Sequence, residues 1–104
     1  MDLAVQVYEL SAKFPSDERF GLTSQVRRCA VSIPSNIAEG SSRTNKSFSH
    51  FLDVSLGSSF ELQTQILLAN YRKYLSDDKC QIFEDMIEEF QRATMVFQNT
   101  LNKD

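Results

Sequence analysis

Apolar residues recur along this chain at alternating spacings of three and four, the mark of amphipathic helices. Leu3, Val7, Leu10 and Phe14 define a first helix over about Asp2–Lys13. Pro15 ends it, because the residue before a proline is pushed out of the helical region. Ser16–Gly21 reads as a connector. Leu22, Val26, Cys29, Ala30, Ile33 and Ile37 then share one face of a second helix, about Leu22–Ser41. Pro34 falls inside this pattern. It removes the amide that would bond the Ala30 carbonyl and crowds that carbonyl, so a kink is predicted. A fresh helix starting at Pro34, with Ser32 near its cap, is the alternative. One kinked helix fits better, because the apolar stripe keeps its phase across the proline. Gly40 is placed to stop the helix in a left-handed conformation.

A third and longest helix is predicted over about Asn45–Leu75, with Thr44 as its N-cap. Its seam, Phe48, Leu52, Ser55, Ser59, Leu62, Ile66 and Ala69, is heptad-like and suits neighbours crossing at a shallow angle. Ser55, Gly57, Ser58 and Ser59 are small enough for backbones to approach closely. A second stripe, Leu56, Phe60, Leu67 and Tyr71, lies beside the seam. Such breadth suits a helix with two neighbours, or one that also meets another subunit. A fourth helix, about Asp77–Leu101, is capped by Ser76 and carries Cys80, Phe83, Ile87, Phe90, Thr94, Phe97 and Leu101 on one face. Asp77 and Asp78 favour its positive end.

Short connections force antiparallel neighbours. The fold expected is an all-α, up-down-up-down antiparallel four-helix bundle forming a single domain over residues 1–104, with helix two kinked at Pro34. The first helix is too short to cover the core presented by helices three and four. Either another chain covers the remainder, or helix one is part of a longer natural helix.

The 104 residues are 41% hydrophobic, with three glycines and two prolines, so a few long elements are expected. No apolar run is long enough to span a membrane, and the N-terminus lacks the pattern of a secretory signal. Cys29 and Cys80 are far apart, match no metal spacing, and fall on apolar stripes. They read as buried free thiols, and a cytoplasmic location is the default expectation.

The net charge of −3 argues against a strongly basic nucleic-acid binder. The charges are uneven, however. Arg19, Arg27, Arg28, Arg43 and Lys46 make one region basic against the single Glu39; Asp77, Asp78, Glu84, Asp85, Glu88 and Glu89 make another acidic against Lys79. Arg27, Arg28, Arg43 and Lys46 are therefore the candidate contacts to RNA or DNA, although no aromatics interleave with them as in a stacking platform.

Little else suggests chemistry. His50 is the only histidine and is predicted on the face opposite the helix-three seam. No Glu-x-x-His or H-E-x-x-H motif supplies metal ligands, and no phosphate loop occurs. The sequence therefore predicts no catalytic, metal or cofactor site, no small-molecule substrate and no enzyme. On helix two, Arg28, Ser32, Ser35 and Glu39 form a polar strip, with Asn36 beside it. It reads either as an interface or as polar groups satisfying the backbone loosened by Pro34. Arg27, Val31, Pro34 and Ala38 form a small, partly apolar strip. With Leu56, Phe60, Leu67 and Tyr71 it is the candidate oligomer interface.

The run FGLTSQVRRCAVSIPSNIAEGSSR, followed by FLDVSLGSSFELQTQ, resembles the four helix bundle protein family. That family includes proteins encoded by intervening sequences within bacterial large-subunit ribosomal RNA genes. The chain is also similar to the accessory variability determinant of diversity-generating retroelements. The resemblance implies a bundle that assembles as a barrel-like homopentamer, and a first helix that continues N-terminal of Leu3. One branch binds nucleic acid and a reverse transcriptase through a basic surface; this chain is net acidic.

Overall fold

The computed structural model describes residues 2–103. Four α-helices follow one another: α1 (Asp2–Ser11), α2 (Leu22–Ser41), α3 (Asn45–Tyr71) and α4 (Asp77–Asn102). A short 3-10 turn over Ser16–Glu18 sits in the first connection. Each helix packs on the next in sequence. The pairings run antiparallel. Cys29 of α2 meets Glu61 of α3, and Ser32 meets Ser58. Gln91 of α4 reaches Ser59, while Gln98, further along, reaches Ser49.

The predicted caps form. Thr44 Oγ1 accepts from the Ser47 amide at 3.3 Å, and Ser76 Oγ accepts from the Lys79 amide at 3.2 Å. Each satisfies one of the donors that a helix start leaves without a partner. Of the small residues on α3, Gly57 is exposed with nothing within 4 Å of its Cβ position, so no close approach occurs there, whereas the serines face the neighbouring helices. Ser55 and Ser59 are fully buried. Ser55 Oγ donates to the Ile33 carbonyl across the α2–α3 contact at 2.9 Å. Ser59 Oγ donates to the Leu56 carbonyl and accepts from Gln91 Nε2. Around them Val7, Val26, Leu62, Ile66 and Ile87 fill the core.

Two boundaries and the role of one glycine differ from the sequence reading. First, α1 stops at Ser11 rather than Lys13. Its end tightens through Lys13 N to Leu10 O and Phe14 N to Ser11 O, which turns Phe14 into the core against Tyr74. Second, α3 stops at Tyr71 rather than near Leu75. Lys73 takes φ 64°, and the amides of Lys73 and Tyr74 bond the carbonyls of Asn70 and Ala69. This is a Schellman ending, built on lysine where glycine is usual, so the sequence carried no stop signal. Third, Gly40 does not terminate α2. It lies inside the helix, buried, and no described glycine has a positive φ. Its role is close approach. A Cβ there would stand 2.7 Å from Phe51 Cβ and 2.9 Å from Phe48 Cδ1 on α3.

α2 runs unbroken through Pro34 as one helix, so no new helix starts there; the bend at Pro34 stays an expectation. Asn36 Nδ2 donates to the Ser32 carbonyl at 2.8 Å, and Ser55 to that of Ile33, both on the turn preceding the proline.

α1 is short. At ~1.5 Å per residue it reaches ~15 Å, whereas α3 and α4 reach ~40 Å. It covers α2 and α4 over only part of their length.

Candidate functional site: dispersed cations, an apolar groove and an exposed stripe

The four candidate cations do not converge. Arg27 is half-buried and engaged. Its Nε donates to Ser11 Oγ at 2.8 Å, its Nη2 to the Tyr8 carbonyl at 3.4 Å, and its guanidinium lies 4.7 Å from the centre of the Tyr8 ring. The planar fork and cation–π face of arginine are thus spent on holding α1 against α2. Arg28 is exposed on another side of the helix, beside Cys29, Glu61 and Gln65. Arg43 forms an ion pair with Glu39 and lies over Phe51. Arg27 is in the second turn of α2 and Arg43 just past its end, so they are ~20 Å apart along the helix. Lys46, exposed, lines a polar hollow with Thr44, Ser49 and Asn102 at the start of α3.

The polar strip of α2 faces inward in part. Ser32 Oγ and Ser58 Oγ are 2.8 Å apart, and Asn36 Nδ2 also donates to Ser32 Oγ. These bonds join α2 to α3 and brace the region around Pro34. Ser35 and Glu39 are exposed.

The two cysteines are buried free thiols, as predicted. Burial pushes both thiols above their ordinary range, and neighbouring carboxylates add to this, Glu61 at Cys29 and Glu84 and Asp77 at Cys80; the Gln65 side chain partly offsets it at Cys29. Their thiolate fraction is correspondingly small, which is the reverse of an activated nucleophile. His50 is exposed and sits edge-on to Phe51. Among the described residues no group of three or more His, Cys, Asp or Glu is placed to hold a metal ion. No helix among them is long and apolar enough to cross a membrane.

The apolar candidates divide differently from the sequence reading. Leu56, expected on the outer stripe, is only 8% exposed. It lies nearer the buried seam than its stripe companions and is shut inside the chain. Phe60, Leu67 and Tyr71 remain outside, at 47%, 48% and 82% exposed. Leu68, which the stripe did not include, joins them at 49%. Val31 and Ala38 are exposed and Pro34 half-buried. Pro34 forms part of a groove of about 370 Å³ lined by α1, α2 and α4, with Leu3, Ile37, Met86, Phe90 and Ala93 among its walls and Glu89 on the α4 side. The only sequence signal for this groove was the mismatch in helix length.

At the opposite end, Tyr74 Oη donates to Glu18 Oε2 at 2.8 Å, and Glu18 Oε1 accepts from the Leu22 amide at the start of α2. The Tyr74 hydrogen bond, followed by that of Leu22, holds the Glu18 carboxyl below its ordinary range. A depressed carboxylate pKa contributes stability that is present above the unfolded value and lost as pH falls through the folded one. The melting-temperature gap between the wild type and Tyr74→Phe is therefore expected at neutral pH and should close in acid, as Glu18 protonates. Thermal melts across that range check it. A gap unchanged in acid would assign the Tyr74 hydroxyl another role.

What the geometry defines is an all-α helical bundle, with an apolar groove lined by α1, α2 and α4 and exposed apolar residues along α3. The chain belongs to the family of 23S rRNA-intervening sequence proteins, whose profile matches residues 1–95. A search of curated proteins returns no match.

Proposed function

We propose that this chain is a non-enzymatic, self-assembling helical-bundle protein, a homo-oligomeric scaffold or accessory factor. One observation carries the reading: Phe60, Leu67, Leu68 and Tyr71 form an exposed apolar stripe on the longest helix. Exposed apolar surface of this kind marks sites of association. The resemblance to bundles that assemble as pentamers supports it. The buried, unactivated thiols and the solvent-facing His50 supply no reacting group. A role in binding RNA or DNA has less behind it. Arg27 and Arg43 already have partners, which leaves Arg28 and Lys46, and so few phosphate contacts give weak, salt-sensitive binding. The deciding measurement is solution mass by light scattering at micromolar concentration. A mass of several chains is expected; that of one chain would overturn the proposal.

A further inference from the structure

We propose that the polar cleft between α2 and α3 binds a free α-amino acid, recognised by both of its charges at once. Gln25, Arg28 and Cys29 of α2 and Glu61 and Gln65 of α3 line a cleft of about 260 Å³. Residues three and four apart share one side of a helix, so each helix presents its cleft residues along one edge. Opposite charges meet here without pairing. Arg28 and Glu61 are both exposed, and among the described residues neither forms an ion pair. There Arg28 donates no side-chain hydrogen bond, and the Glu61 carboxylate accepts only from the Cys29 thiol, at 3.7 Å. Arg43, by contrast, is paired with Glu39. The cleft holds a third unspent group. Gln65 Oε1 is buried with no hydrogen-bond partner, and a buried acceptor without a donor is costly. The terminal torsion of a carboxamide is soft, so the oxygen can turn to a donor that enters the cleft.

A free α-amino acid matches these groups. Its carboxylate takes the planar fork of Arg28 in a bidentate pair. Its ammonium donates to the Glu61 carboxylate, with the Gln65 carbonyl oxygen as a second acceptor. Gln25, exposed, is left for the ligand's side chain. A simple anion would stand beside Glu61 at like charge, and a simple cation beside Arg28; a ligand carrying both charges satisfies both helices. The size agrees. Sites for drug-sized ligands start at about 300 Å³, and this cleft is smaller. The Cys29 thiol is buried and not activated, so the chemistry is recognition and not reaction. The cleft lies within one chain, so binding there is independent of self-assembly.

The test is titration of the isotope-labelled full chain with each of the common free L-amino acids, followed by proton–nitrogen correlation spectra. At least one is expected to shift the amides of Arg28, Cys29, Glu61 and Gln65 in a saturable way. Its N-acetyl and carboxamide analogues, each lacking one charge, should bind about tenfold or more weakly, since a charge-assisted pair is worth at least a decade in affinity. Arg28→Gln and Glu61→Gln, both at exposed positions, should each weaken binding as much, with helix content kept by far-UV circular dichroism. Arg43→Gln, outside the cleft, should leave it unchanged. No amino acid shifting these amides, a blocked analogue binding as tightly as its parent, or both cleft variants binding as the wild type does would overturn the proposal.

Discussion

Replacing Leu62 by alanine is expected to cost ~3 kcal/mol, within the range of about 2–5 kcal/mol seen when large core side chains are truncated. Leu62 lies on the α3 seam and is fully buried, one of the largest such side chains in the molecule. Its removal loses the transfer free energy of the missing carbons and leaves a cavity. The surrounding helices can close that cavity only in part, because Val26, Ile66 and Ile87 are themselves packed without exposure. A domain of this size has ~5–15 kcal/mol in total, so the loss is a large share of it. Urea titration at one fixed chain concentration checks the value; a fixed concentration matters because assembly shifts apparent stability by mass action. Val96→Ala, on the exposed face of α4, should stay within about 0.5 kcal/mol of the wild type. Equal effects at both positions would show that Leu62 is not in the core.

Gly40→Ala is expected to destabilise even though alanine is the better helix former. Two terms oppose each other. Exchanging glycine for alanine inside a helix returns about 1 kcal/mol. The new methyl, however, would meet Phe51 Cβ at 2.7 Å. A Cβ moves only with its backbone, so α2 and α3 must separate or shift. Overpacking of this kind costs about 1–3 kcal/mol, and a net loss of ~1 kcal/mol is expected. Gly40→Leu adds further volume against Phe48 and Phe51 and should cost ~3 kcal/mol or more. Gly57→Ala is the contrast. Nothing lies within 4 Å of its Cβ position, so the conformational gain stands alone, at ~0.5–1 kcal/mol of added stability. The same titration compares all three. A more stable Gly40→Ala would show that the close approach at Gly40 is not tight.

Much of the fold was legible in the sequence because helical periodicity is local. Of the seam read from Phe48 to Ala69, Leu52, Ser55, Ser59, Leu62, Ile66 and Ala69 are buried, and Phe48 at its start is half-buried. The caps at Thr44 and Ser76 were equally visible, since a cap depends on residues three apart. The misreadings share a cause. Gly40 looks the same in sequence whether it ends a helix or lets another helix come close. Lys73 gives no sign of its left-handed conformation, which the packing of Tyr74 and Leu75 beyond it supports. Leu56 and Phe60 sit one turn apart on nearly the same side of α3, yet Leu56 is buried and Phe60 exposed, a difference that periodicity does not show.

The candidate site was less legible still. Arg27, Arg28, Arg43 and Lys46 are close in sequence and formed a basic region on paper. The helix carries them to different sides and different ends, and two of them are taken up by Tyr8, Ser11 and Glu39. The sequence by itself determined the helices, most of their lengths and the seams along which they pack, because those properties are set by neighbours three and four residues away. The tertiary structure decided which polar groups are already satisfied and which apolar faces are left uncovered, because both depend on what other helices bring within reach. The exposed Phe60, Leu67 and Tyr71 on α3 are of that second kind.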